Sequence, residues 1–153
     1  MERALIEALP ARYPQRDPIE DQVPWNVAYA DAMRTAYRAL PDDLEVTAIF
    51  AEAILNVTPW KMWDLKTGGV AKGAGTIEAR EVLERAMRQD PAAMAHPGIL
   101  HLYVHLMEMS PFPELALRAG AALRELLPDA RHLIPLPKPH PHPAGHHPHT
   151  ALY

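Results

Sequence analysis

His96-Pro-Gly-Ile-Leu-His-Leu-Tyr-Val-His-Leu-Met-Glu-Met-Ser110 is the stretch on which the reading of this chain turns. Between Ile99 and Met109 every residue is apolar or aromatic except His101, His105 and Glu108. At 100° per residue these three stand at i, i+4 and i+7, within one narrow stripe of a helix. The remaining faces carry Leu100, Leu102, Tyr103, Val104, Leu106 and Met107. A helix so apolar is buried nearly all round, and its polar stripe faces solvent, a groove or a partner group. Pro97 suits the first helical turn, and Ser110-Pro-Phe-Pro113 ends the helix.

Working outward, five further segments show helical period. They are residues 2–13, 25–40, 43–56 and 76–89, and a last one running to about Leu127. In the first, Leu5, Ile6, Leu9 and Tyr13 form the expected inner face, with Pro10 expected to shorten it. In the second, Ala30, Met33, Tyr37 and Leu40 face inward and Asp31, Arg34 and Arg38 outward. The third leaves only Glu45, Glu52 and Asn56 as a polar stripe and reads as the central helix, capped by Asp42 or Asp43. Thr76 is the expected cap of the fourth, where Glu81–Arg85 and Glu84–Arg88 have the spacing of helix ion pairs. In the last, Leu115, Ala119, Ala122, Leu123 and Leu126 face inward, and Ser110 or Phe112 caps it. A long loop, 57–75, separates the third and fourth segments. Trp60 and Trp63 favour a packed first half; the Gly-rich second half is flexible by composition. It lacks the order of a phosphate-binding loop, and no strand precedes it.

The fold expected is all-α, with about six antiparallel helices in three pairs. Ala79-x3-Leu83-x2-Ala86-x4-Pro91 has the offsets of the second helix of a tetratricopeptide (TPR) repeat. Tyr29, Met33, Ala36 and Pro41 follow them more loosely. Paired so, the first helices line a groove, with the His101/His105/Glu108 stripe beside Glu45 and Glu52. The domain expected is 1–130. Residues 131–153, rich in Pro and His, form a tail for which polyproline II or disorder is expected; His140, His142, His146, His147 and His149 are expected to chelate metal at most weakly.

Composition excludes several classes. The 153 residues include no cysteine, which removes disulfides and thiolate ligands. The net charge of −4 comes with no basic patch interleaved with aromatics, so nucleic acid is not an expected partner. No apolar run approaches the roughly 18 residues a membrane helix needs, and the start lacks a signal-peptide core. A soluble, cytoplasmic protein is expected.

The chain resembles a family of largely uncharacterised microbial TPR-domain proteins over most of residues 1–134. The resemblance rests on Thr58-Pro-Trp-Lys-Met-Trp-Asp64, on Glu78-Ala-Arg-Glu-Val-Leu-Glu-Arg-Ala86, and above all on His96-Pro-Gly-x-x-His-x-Tyr-x-His-x-x-Glu-x-Ser-Pro-x-Pro-Glu114. It implies helical-repeat scaffolding and carries no catalytic activity with it. In such proteins a His-x-x-His-Met-Pro-Ser/Thr-His run and more repeats follow. Here His132-Leu-Ile leads to Pro135-Leu-Pro-Lys-Pro139, which implies a truncated member or one whose reading frame shifts near residue 135.

Two functions follow as expectations. The first is a scaffold that binds a protein or peptide partner on its groove, with Trp60, Trp63, Glu45 and Glu52 as contacts. The second is a site for a divalent metal such as zinc on His101, His105 and Glu108, with His96 approaching from the preceding loop. The stripe lacks the intervening Glu of a zinc-protease helix, so no general base is specified. The plain structural alternative is that the histidines bond to neighbouring loops and to Glu108, Tyr103 is core, Trp60 and Trp63 anchor their loop, and Glu45 and Glu52 are a solvated stripe.

Overall fold

The computed structural model describes residues 1–17 and 19–128. The Pro/His-rich tail, with the five terminal histidines, His132 and the departure at Pro135, lies outside the described residues. The fold is all-α, in six helices: α1 Glu2–Arg12, α2 Val23–Ala39, α3 Leu44–Leu55, α4 Thr76–Gln89, α5 Pro97–Glu108 and α6 Leu117–Leu126. Short 3-10 turns, Pro91–Ala95 and Pro113–Ala116, precede α5 and α6. No described helix is long and apolar enough to cross a membrane.

Consecutive helices pack in sequence, α1 on α2, α2 on α3, α3 on α4 and α5 on α6, and α3 also lies against α5. α3 is central because its sequence is apolar on most faces: Val46, Thr47, Ala48, Phe50, Ala51, Ala53 and Ile54 are buried. Asp43 caps it, its carboxylate accepting the Glu45 and Val46 amides. α5 is buried likewise, through Ile99, Leu100, Tyr103, Val104, Leu106 and Met107. Two arginines of α2 and α4 bind the layers across α3. The Arg34 guanidinium donates to both oxygens of Glu78 at 2.7 and 2.8 Å and lies over the Phe50 ring. Arg85 donates to the Tyr37 hydroxyl, the Pro41 carbonyl and Asp42.

Several expected details are corrected. α1 runs through Pro10 to Arg12, and its inner face is Ala4, Leu5 and Ala8, leaving Ile6 and Tyr13 each 64% exposed. The small face lets α1 approach α2, where Arg12 sits 5.0 Å from the Tyr29 ring centre. Arg85 does not pair with Glu81 but reaches the α2–α3 turn; Glu84 is met by Arg80 at 2.7 Å and Arg88 at 3.5 Å. Leu115 and Leu126 are exposed, while Ala116, Ala119 and Leu123 turn inward. Thr76 is the first helical residue of α4 rather than its cap, and its hydroxyl donates to the Met62 carbonyl at 2.6 Å.

That last bond belongs to a folded loop. The Gly-rich half of 57–75 doubles back on the first half in a small hairpin. Trp63 pairs antiparallel with Val70, Asp64 N–H donates to the Gly69 carbonyl, and Ala71 N–H donates to the Met62 carbonyl. Gly68 makes the turn at φ +72°, a conformation glycine adopts without penalty.

Gly75 closes the loop under a different constraint. A β-carbon there would lie 2.4 Å from Cγ2 of Ile54, a β-branched side chain buried in α3. Gly75→Ala should therefore cost roughly 1–2 kcal/mol through overpacking, the lower part of the usual range because only one methyl is added. Urea denaturation checks this, and recovery in the pair Gly75→Ala/Ile54→Ala would place the clash.

Candidate functional site

α3 and α5 run side by side and leave an open groove of about 800 Å³ between them. Its floor comes from half-buried apolar side chains at the edge of the core, Ile49 on α3 and Leu102 on α5, together with Ala48. Close approach at the α5 end depends on Gly98, where a β-carbon would meet both the His96 ring and Ala48. The rim carries Glu45 and Glu52 on one side and His96 and His101 on the other. Among the described residues no lysine or arginine lines it.

His96 is the N-cap of α5. Its Nδ1 accepts the Ile99 amide at 3.2 Å. An imidazole nitrogen that accepts carries no proton, so the proton of the neutral ring is on Nε2. Nε2 lies 3.3 Å from Oε1 of Glu45 without the alignment of a directed hydrogen bond. The cap thus uses one nitrogen, and the other faces a carboxylate on the neighbouring helix. His96→Ala should lower stability by about 1 kcal/mol, whereas His96→Asn should keep most of it, since Asn caps through its own side-chain oxygen. Equal losses in the two variants, measured by thermal unfolding, would remove the capping role.

The polar stripe of α5 is contiguous, but only its first residue lines the groove. His101 faces the groove, while His105 and Glu108 turn away from its lining. His105 Nδ1 and Glu108 Oε1 are 2.8 Å apart, an i, i+3 pair. The His101 and His105 rings meet edge to face with centres 4.4 Å apart, and Trp60 approaches His105 edge-on at 6.3 Å. Trp60 is 72% exposed and its φ is +63°, uncommon for a residue with a side chain. Trp63 is buried, and its indole N–H donates to the Leu106 carbonyl at 2.6 Å. It anchors the loop; it does not wall the groove. Among the described residues no three His, Asp or Glu side chains are grouped so as to hold a metal ion.

A smaller hollow of about 240 Å³ lies where α4, α5 and α6 meet, edged by Met87, Met94 and Leu115. Its carboxylate, Glu84, is already engaged by Arg80 and by the Tyr103 hydroxyl. Burial pushes the Glu84 carboxyl up, but these hydrogen bonds outweigh it and its pKa lies below the ordinary value.

Glu45, Glu52, His96 and His101 share the groove, His105 and Glu108 pair with each other beside Trp60, and Trp63 is core. The floor residues Ile49 and Leu102 were not anticipated. Their signal is their place beside the polar positions of helices otherwise apolar all round. No family model, curated protein or solved structure matches the chain.

Proposed function

We propose that this is a binding domain of TPR-like type, a scaffold that takes a protein or peptide segment in the groove between α3 and α5. The groove itself supports the reading: it is open, it has an apolar floor and a polar rim, and it lies between α3 and α5, the helices that a TPR-like pairing would make the first of their pairs. Apolar grooves rimmed by polar groups are a common way to hold a peptide. The nearby side chains offer no activated nucleophile. His96, the best placed base, has one nitrogen committed to capping α5.

Selection of random displayed peptides against the full chain tests this reading. Selected peptides should shift amide resonances along α3 and α5. They should bind at least tenfold more weakly to Ile49→Arg, which fills the floor, while helicity is unchanged. If selection yields no peptide sensitive to Ile49→Arg, the proposal fails. The metal-binding alternative predicts something else: stoichiometric zinc on the full chain that is lost in the His101→Ala/His105→Ala pair.

A further inference from the structure

We infer that the partner segment is basic, with two lysine or arginine side chains about 10 Å apart around an apolar centre. This rests on the groove being the binding face. The argument is charge complementarity combined with spacing. Glu45 and Glu52 are seven residues apart on α3, which at 1.5 Å per residue places them roughly 10 Å apart along the axis and on the same side of the helix. Both are exposed, and they stand above Ile49 and Ala48.

Among the described residues no lysine or arginine lines the groove beside the two carboxylates. Glu45 is approached by the His96 ring, and Glu52 accepts a side-chain amide bond from Asn56 at 3.2 Å. The opposite rim carries imidazoles, His96 and His101, and no cationic side chain. A basic segment laid along α3 meets a carboxylate at each end and the apolar floor between them. Two cations match that separation at positions i and i+7 of a helix, or at i and i+3 of an extended segment. An acidic segment meets like charge at both ends, which opposes binding.

The contacts are on the rim, so salt screens them.

The test uses the peptides selected on the full chain. Their sequences should be enriched in Lys and Arg at one of the two spacings. Binding should fall at least tenfold in the charge-reversed pair Glu45→Lys/Glu52→Lys, whose circular dichroism should match the parent, and should fall again when salt is raised from 50 to 500 mM. A peptide of the same sequence with Glu at its two basic positions should bind the parent at least tenfold more weakly and recover on the charge-reversed protein. That recovery separates charge pairing from damage to the fold. Peptides sensitive to Ile49→Arg but neutral or acidic would overturn the basic partner and leave the groove reading standing; no groove-dependent peptide would end both. Spermine binding as tightly as the peptides would also overturn it, because charge alone would then account for the affinity.

Discussion

Trp63→Ala should destabilise the domain by roughly 3–5 kcal/mol, the usual cost of emptying a buried aromatic site. The indole is 7% exposed and lies between the 57–75 loop and α5. Truncation leaves a cavity and also removes a hydrogen bond at a position where the helix has no substitute. α5 ends at Glu108, so the Leu106 carbonyl is one of its terminal, unpaired acceptors. The Ser110 amide that would have reached it bonds to Met107 instead. The indole N–H takes its place. Trp63→Phe keeps the larger part of the ring, removes the donor and leaves a smaller void; about 1–3 kcal/mol is expected for the unpaired carbonyl alone. Guanidinium unfolding of both variants measures the losses, and Trp63→Phe should cost less than Trp63→Ala. A loss below about 1 kcal/mol in Trp63→Ala, well short of the usual aromatic truncation, would show that the loop is not part of the cooperative unit.

The second large effect is alkaline. Burial, then the hydrogen bond to Glu84, pushes the Tyr103 phenol up to about 12. Its hydroxyl donates to Glu84 Oε1 at 3.0 Å, and ionisation would place a phenolate beside that carboxylate. A pKa raised on folding contributes stability that is complete below the unfolded value, near 10, and is lost as pH climbs through the folded one. Between pH 10 and 12 the domain should therefore lose up to roughly 2.7 kcal/mol on account of this group. Tyr103→Phe should be less stable at pH 7, by about 1.5–3 kcal/mol for a hydrogen bond to a charged acceptor. It should also show a shallower decline over the alkaline interval. Some decline remains in the variant, because burial raises the Tyr29 phenol as well. Urea midpoints measured at intervals from pH 7 to 12 decide the point; parallel curves for the two proteins would remove Tyr103 from the account.

The helices were legible because their signals are local. Apolar period, Pro97 at a first turn and Asp43 at a cap each need only neighbouring residues to be read, and the structure has helices at all six places. What a residue does at long range was harder to read. Trp63 finds Leu106 across 43 positions, and Arg34 finds Glu78 across 44. No periodicity encodes either pairing. The sequence reading of α1 failed for a related reason. Ile6, Leu9 and Tyr13 form a plausible stripe by hydropathy, but α2 offers a face that small residues fit best, so Ala4 and Ala8 turn inward. The loop was taken as flexible in its second half because glycine is permissive; at Gly68 the same permissiveness makes a turn.

The candidate site shows both outcomes within a few residues. The polar stripe on α5 was visible, and so was its neighbourhood to Glu45 and Glu52. That His101 lines the groove while His105 meets Trp60 of the loop is a matter of packing across the chain, which spacing does not specify. His96 was read as a possible metal donor approaching from the loop before α5. The position itself held the better signal: the residue before a proline at the first helical turn is the N-cap, whatever its type.

The slender attachment of α1 has a consequence for how the domain comes apart. Ala8 is its one buried residue, and its principal packing partner is α2 alone. So little apolar surface gives a low free energy of opening, and such segments detach while the rest stays folded. Amide protons in α1 should exchange with solvent well before those of α3 and α5. The groove draws nothing from α1, so the face proposed to hold a partner is built from the part of the chain that opens last.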